Sequence, residues 1–272
     1  MIIKHRSITW PVALLLLLVF IGACRRPSKR FASTLTPVDK AKIPPVTVAD
    51  YSQYLKAGNE VVAQGNDPSW SLTINASKNI LQFKATNGIS TSTTAPQRIV
   101  DSDGSFRYDA QVESGRMKIL FAPNSCVDKQ SQQRFDYRVE VDIQGKNYMG
   151  CGVSLQQLAL LQDIWVLTDF EGKRLTSNNT QREVPRLEIS LTEGRVTGTT
   201  GCNRLSGPVR ADTRTIVFGP LVTTKMACVG EGGILEGDLL SALNQPLTYR
   251  VSEGKLTLLR GSESVMVFKK VD

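Results

Sequence analysis

Histidine is almost missing from this 272-residue chain; the one copy is His5. With the leader that holds it removed, the mature chain has none. That excludes Ser-His-Asp and Cys-His catalysis, HExxH sites and histidine-based zinc sites together. Cysteine is scarce, five in all, and never spaced as CxxC, so a four-cysteine zinc site has no pattern to rest on. Neither GxGxxG nor GxxxxGK[ST] occurs. The nearest approach, "VGEGGILEG", sets glycines before a helix, but Glu231 and Glu236 would repel a phosphate there. "DSDGS" at Asp101–Ser105 opens like a calcium loop and lacks the terminal Glu, so it reads as a β-turn. No cofactor and no metal are expected. Beyond the leader, no apolar run is long enough to span a bilayer.

What is present begins with "MIIKHRSITWPVALLLLLVFIGAC". Lys4, His5 and Arg6 precede an apolar stretch from Val12 to Phe20, shorter than the roughly 20 residues of a membrane span. Length and flanks are those of a secretory signal. "IGAC" resembles the bacterial lipobox. The resemblance implies that residues 1–23 are removed and that Cys24 becomes the lipidated first residue. Arg25 in place of Asp points to the outer membrane, facing the periplasm. Two or more acyl chains make a stable anchor, so the membrane is the first expected partner. Arg25, Arg26, Lys29 and Arg30 can rest on anionic headgroups or stay solvated. Losing Lys4 and Arg6 lowers the formal charge from +8 to +6. That is weakly basic for a chain of this size, and nucleic acid is not expected as a partner.

Residues 24–57 are rich in Pro, Ser, Thr and charge and read as a flexible tether. "VADYSQYLKAG" can form a short helix ending at Gly58. From Asn59 onwards the pattern is β. "SWSLTIN", "NILQFKAT", "SFRYDAQV", "RMKILFA", "RFDYRVEVDI" and "KNYMGCG" alternate apolar and polar residues between turn signals. "IWVLTDF", "RLEISL", "RVTGTT", "TIVFGPLVTT", "LTYRVSEGKLTLLR" and "SVMVFKK" repeat the habit, with "TEGR" and "SEGK" as hairpin turns. Gly198 to Gly201 read as a closely packed strand, with Gly207 and Pro208 as the turn back. One helix interrupts, "GILEGDLLSALNQ", with Ile234, Leu235, Leu239, Leu240 and Leu243 on one face and Pro246 beyond it. "VSLQQLALLQ" joins the halves as a helical turn. The expected fold is mainly β: two small antiparallel barrel- or sandwich-like domains, 58–153 and 160–272, the second with one helix.

With Cys24 set aside, Cys126, Cys151, Cys202 and Cys228 remain, an even number in an exported chain, which predicts disulfides. Pairing within each half gives Cys126–Cys151 and Cys202–Cys228. Each bridge closes a loop of about 25 residues and stabilises by about 3–4 kcal/mol on the chain-entropy model. The competing reading makes Cys202 a reactive thiol, for which only Arg204 stands near in sequence as an activating cation.

Trp165, "RVTGTTGCNRLSG", "TTKMAC", a helix with Glu236 and the final strands "LTLL" and "VMVFKK" resemble the META domain, the module of heat-inducible HslJ-type envelope proteins. The motif falls on Trp165, Gly201, Cys202, Asn203, Gly207, Thr224, Met226, Ala227 and Cys228. The resemblance implies a compact β-domain with one helix and an association with stress or antibiotic tolerance, without an established catalytic activity. "GNDPSWSLTI" and "RFDYRVEVDIQGKNYMGCG" resemble an uncharacterised family of bacterial envelope proteins, and the strands ending at Cys151 loosely resemble membrane-bound lysozyme inhibitors. The expected function is a non-catalytic envelope lipoprotein that binds or supports an envelope protein or glycan under stress. The alternative is an inhibitor of lysozyme-type hydrolases, although basic lysozyme would be repelled by this basic chain. A carboxylate hydrolase has no motif behind it.

Overall fold

The computed structural model describes residues 48–175 and 183–271. Cys24, the leader and the first part of the tether lie outside them. Pro45–Asp272 forms one compact unit, and it is mainly antiparallel β-sheet. Helix α1 (Ser52–Ala57) ends as the sequence suggests, on Gly58 in the left-handed conformation with its N–H on the Leu55 carbonyl.

The first sheet has nine strands. In spatial order they are Ser90–Thr94, Ile80–Ala85, Ser69–Asn75, Asn59–Asn66, Lys146–Ser154, Tyr137–Ile143, Gly115–Ala122, Phe106–Val112 and Ile99–Val100. It curls until strands Ser90–Thr94 and Phe106–Val112 approach each other. They do not pair, and the Thr93 hydroxyl reaches the Gln111 carbonyl across the gap at 2.8 Å. Alternation in "FRYDAQV" buries Phe106, Tyr108, Ala110 and Val112 on the concave side, where Phe106 stacks on Phe121 at 4.5 Å.

The second sheet closes. Eight strands, Ile164–Phe170, Arg186–Ser190, Arg195–Thr199, Arg204–Ala211, Thr215–Phe218, Leu247–Ser252, Lys255–Arg260 and Glu263–Lys270, follow one another. The last returns to the first with Trp165 opposite Lys270. Closure removes the free edges that the first sheet keeps. Trp165 sits fully buried in the barrel core and donates its indole N–H to the Leu161 carbonyl at 2.9 Å. Helix α2 (Gln156–Ala159) links the sheets. Helix α3 (Gly230–Leu243) lies against the barrel through Leu239, Ala242 and Leu243.

The two sheets share a core. Val62, Phe135, Cys151, Val153, Leu155, Leu158 and Leu161 belong to the hydrophobic cluster that fills the barrel. Strand Asn59–Asn66 is therefore covered on both sides, with Val61 and Ala63 facing the first sheet's interior and Val62 facing the barrel cluster. A strand buried on both faces shows no alternation, which is why "EVVA" carries no strand signal.

Three sequence readings change. Gly207 and Pro208 are not a turn; they lie inside strand Arg204–Ala211. The chain turns earlier, at Thr200–Asn203, and later at Asp212, whose carboxylate accepts the N–H groups of Arg214 and Thr215. "TIVFGPLVTT" is two strands, Thr215–Phe218 and Val222–Thr223, parted at Gly219–Leu221. Ile234 is 67% exposed on the outer side of α3; Leu235 packs partly buried against the barrel cluster, and the fully buried positions are Leu239, Ala242 and Leu243.

Candidate functional site

Hairpin 186–199 and strand Arg204–Ala211 form one wall of the barrel. Alternation turns Leu187, Ile189, Val196 and Leu205 inward. The outer face carries two cross-strand rows, Arg186–Thr199–Arg204 and Glu188–Thr197–Ser206, the second continuing to Val222. At Gly198 the strands come so close that a Cβ would stand 2.0 Å from the Arg186 carbonyl oxygen. Only glycine allows that approach.

Between the strands, residues 200–203 make a tight turn. The Thr200 N–H bonds the Asn203 carbonyl at 2.8 Å, and the Thr200 hydroxyl accepts the Asn203 N–H at 3.0 Å. Gly201 has φ +94°, and a Cβ there would meet the Glu183 carbonyl oxygen at 2.9 Å. The turn buries both Cys202 and Asn203.

Cys202 is bonded to Cys228 and Cys126 to Cys151, with Cα separations of 6.0 and 5.5 Å. A disulfide sulfur is no nucleophile, so in this state Cys202 has no reactive thiol. Asn203 uses its whole amide. Its oxygen accepts the Thr224 hydroxyl at 2.7 Å and the Met226 N–H at 2.9 Å. Its nitrogen faces both Glu236 oxygens at 3.0 and 3.1 Å and the Met226 carbonyl at 3.3 Å. One side chain thus ties the 200–203 turn, loop 224–228 and helix α3 together. Every donor and acceptor is engaged, which leaves none for a ligand.

The motif residues divide accordingly. Trp165, Gly201, Cys202 and Asn203 are buried or conformationally required. Gly207 admits the neighbouring segment, since a Cβ there would stand 2.8 Å from the Pro220 carbonyl oxygen and the Leu221 side chain. Thr224, Met226 and Ala227 are exposed on the loop, and Cys228 is half-buried. Glu236, which the META resemblance places in its helix, is the partner of Asn203; it stands seven residues into α3, opposite a turn more than thirty residues away in sequence, so no local pattern names that contact.

Beside this brace runs an open groove of about 830 Å³ on the barrel's outer wall, floored by the two rows. It adjoins a second hollow of about 500 Å³ that reaches Cys202 and Met226. The two share Glu183, Thr199, Arg204 and Thr224. Arg186 pairs loosely with Glu183 at 3.8 Å, and the Thr197 hydroxyl donates to Glu188 at 3.3 Å. Arg195 and Arg204 make no ion pair among the described residues. Hydroxyls from Thr197, Ser206 and Thr223 complete the lining, with Val222 as the exposed apolar member. Such a surface can hold a polar, charged chain by guanidinium and hydroxyl hydrogen bonds.

Residues 156–272 match the family model of the META domain. No curated protein matches the chain. Two solved structures are similar to part of it. One, an NMR structure, is 22% identical with a TM-score of 0.34 and covers 40% of this chain and 89% of its own. The other, an NMR structure of a protein from Burkholderia xenovorans, is 26% identical with a TM-score of 0.34 and covers 41% of this chain and 85% of its own. At those TM-scores neither bears on fold or role.

Proposed function

We propose that this chain, whose residues 156–272 are a META domain, is a non-catalytic lipoprotein of the bacterial envelope. It is anchored through Cys24, faces the periplasm from the outer membrane, and holds an envelope protein or glycan in the barrel groove. The observation that carries the reading is the division of labour around the motif. Cys202 and Asn203 are consumed by the brace, while the groove beside them presents Arg195 and Arg204 to solvent. The anchor rests on "IGAC" and the basic residues that follow it. Among the described residues no helix is long and apolar enough to cross a membrane.

The test is affinity capture of the mature protein from its own envelope, run beside Arg195→Glu/Arg204→Glu. Both side chains are exposed, so the variant keeps its fold. The expected result is a protein or glycan held by the parent and lost from the variant. Equal recovery by both, or recovery of lipid alone, overturns the binding reading. Fractionation of Cys24→Ser tests the anchor separately, with release from the membrane fraction as the expected outcome.

A further inference from the structure

The Cys202–Cys228 bridge has a neighbour that the other bridge lacks. A Glu236 oxygen lies 2.9 Å from Cys228 Sγ, and both sulfurs and that carboxylate fall within 4.8 Å of one another. A disulfide sulfur carries no hydrogen, so this contact is no hydrogen bond; the Asn203 amide nitrogen, 3.0 Å from both Cys228 Sγ and a Glu236 oxygen, is the donor shared by the two acceptors. At the other bridge, Cys126 Sγ meets the Gly150 carbonyl at 3.5 Å, and no carboxylate groups with it among the described residues.

We infer that reduction converts the Cys202, Cys228 and Glu236 cluster into a zinc site. A dithiol reductant passes two electrons and two protons to the bridge and is itself oxidised to a disulfide. Zn²⁺ then displaces the two thiol protons and binds both thiolates and the carboxylate. Two sulfurs, one oxygen and an open fourth position for water suit tetrahedral zinc. Bonds of about 2.3 Å to sulfur and about 2.1 Å to oxygen place ligand atoms about 3.5–3.8 Å apart, inside the present spread of the cluster. With the Cα atoms 6.0 Å apart, side-chain rotation parts the sulfurs without moving the backbone. The orienting contact is already built, because the Asn203 amide donates to the Glu236 carboxylate and fixes its direction. The hollow of about 500 Å³ that reaches Cys202 provides the entry path and room for the water. Neither CxxC nor a mature-chain histidine marks this cluster in the sequence. Two cysteines 26 residues apart and a helical glutamate make a donor set that neither pattern describes.

The test uses the full mature chain, reduced with a phosphine, given Zn²⁺ and freed of unbound metal by gel filtration. About one zinc per reduced chain is expected, with none on the oxidised chain. Co²⁺ in place of zinc is expected to give a thiolate-to-metal charge-transfer band. Cys126→Ala/Cys151→Ala keeps the metal. Cys202→Ser and Cys228→Ser lose it, and Glu236→Gln, which keeps an acceptor for Asn203, weakens it about tenfold or more. A reduced chain that retains no zinc, folded or unfolded by circular dichroism, overturns the inference. So does a Cys202→Ser chain that retains as much as the parent, or a loss of zinc from Cys126→Ala/Cys151→Ala.

Discussion

The two halves carry one covalent device in two settings. Cys126–Cys151 and Cys202–Cys228 span 25 and 26 residues, so the chain-entropy model gives them equal weight. The first bridge pins the small hairpin 126–135 to strand Lys146–Ser154 in a sheet whose edges stay open. The second ties a turn, a loop and a helix to a closed barrel, and a buried asparagine doubles the tie with hydrogen bonds. The first sheet also has a buried asparagine. Asn75 donates to the Ala57 carbonyl at the end of α1 and accepts from the Ser77 hydroxyl and the Lys78 N–H. In that half, bridge and asparagine act at separate places. The comparison teaches that loop length sets what a disulfide does to the unfolded chain, while its neighbours set what else is lost with it.

The largest effect expected is on the bridges themselves. Cys126→Ala/Cys151→Ala loses about 3–4 kcal/mol in chemical denaturation. Cys202→Ala/Cys228→Ala loses more, because loop 224–228 slackens and the Asn203 contacts weaken with it. Equal losses would break the comparison. Next come the asparagines. Asn203→Ala removes the hydrogen bonds that join the 200–203 turn to loop 224–228 and to the Glu236 carboxylate and costs about 2–3 kcal/mol; Asn75→Ala costs about 1–2 kcal/mol. Thermal denaturation ranks the two directly.

A smaller effect follows pH. Burial works to raise the Asp128 carboxyl, but hydrogen bonds from the Ser131 hydroxyl and N–H and from the Asn66 amide outweigh it, holding it below its ordinary 3.8. A carboxyl lowered on folding stabilises the protein fully above its unfolded value, and that contribution is lost as pH falls below about 4. Asp128→Asn should therefore lower stability at pH 7 and narrow the gap between pH 7 and pH 3. An unchanged gap would remove Asp128 from the account. The smallest effect has the opposite sign. A Cβ at Gly237 in α3 meets nothing within 4 Å, so Gly237→Ala should stabilise by about 0.5–1 kcal/mol.

Much of this was legible in the chain. "FRYDAQV" and "RMKILFA" alternate because one face of each is buried, and their strands fall where the pattern puts them. Both disulfides join the cysteines that pairing within halves selects. Legibility fails where tertiary context outweighs the local pattern. "EVVA" is buried on both faces and loses its period. Gly207–Pro208 looks like a turn, yet glycine is needed there for the approach of Pro220 and Leu221. Ile234 matches the helical stripe but stays exposed, while its neighbour Leu235 packs against the barrel cluster. The members of the brace were legible, since the family resemblance holds Cys202, Asn203, Cys228 and Glu236; the contact of Asn203 with Glu236 was not, because only the fold brings the turn and α3 together. The groove was not legible at all, because it is assembled from exposed arginines and hydroxyls on three strands and the short Val222–Thr223 segment.

In the function proposed above, ligand contact belongs to the barrel groove and not to the first sheet. A photo-crosslinking residue at Thr197, on the groove floor, and another at Lys118, exposed on the first sheet, place that claim side by side. Irradiated in intact envelopes, the chain should form one dominant adduct from position 197 and none from 118. Matching adducts from both positions, or an adduct from 118 alone, would contradict it.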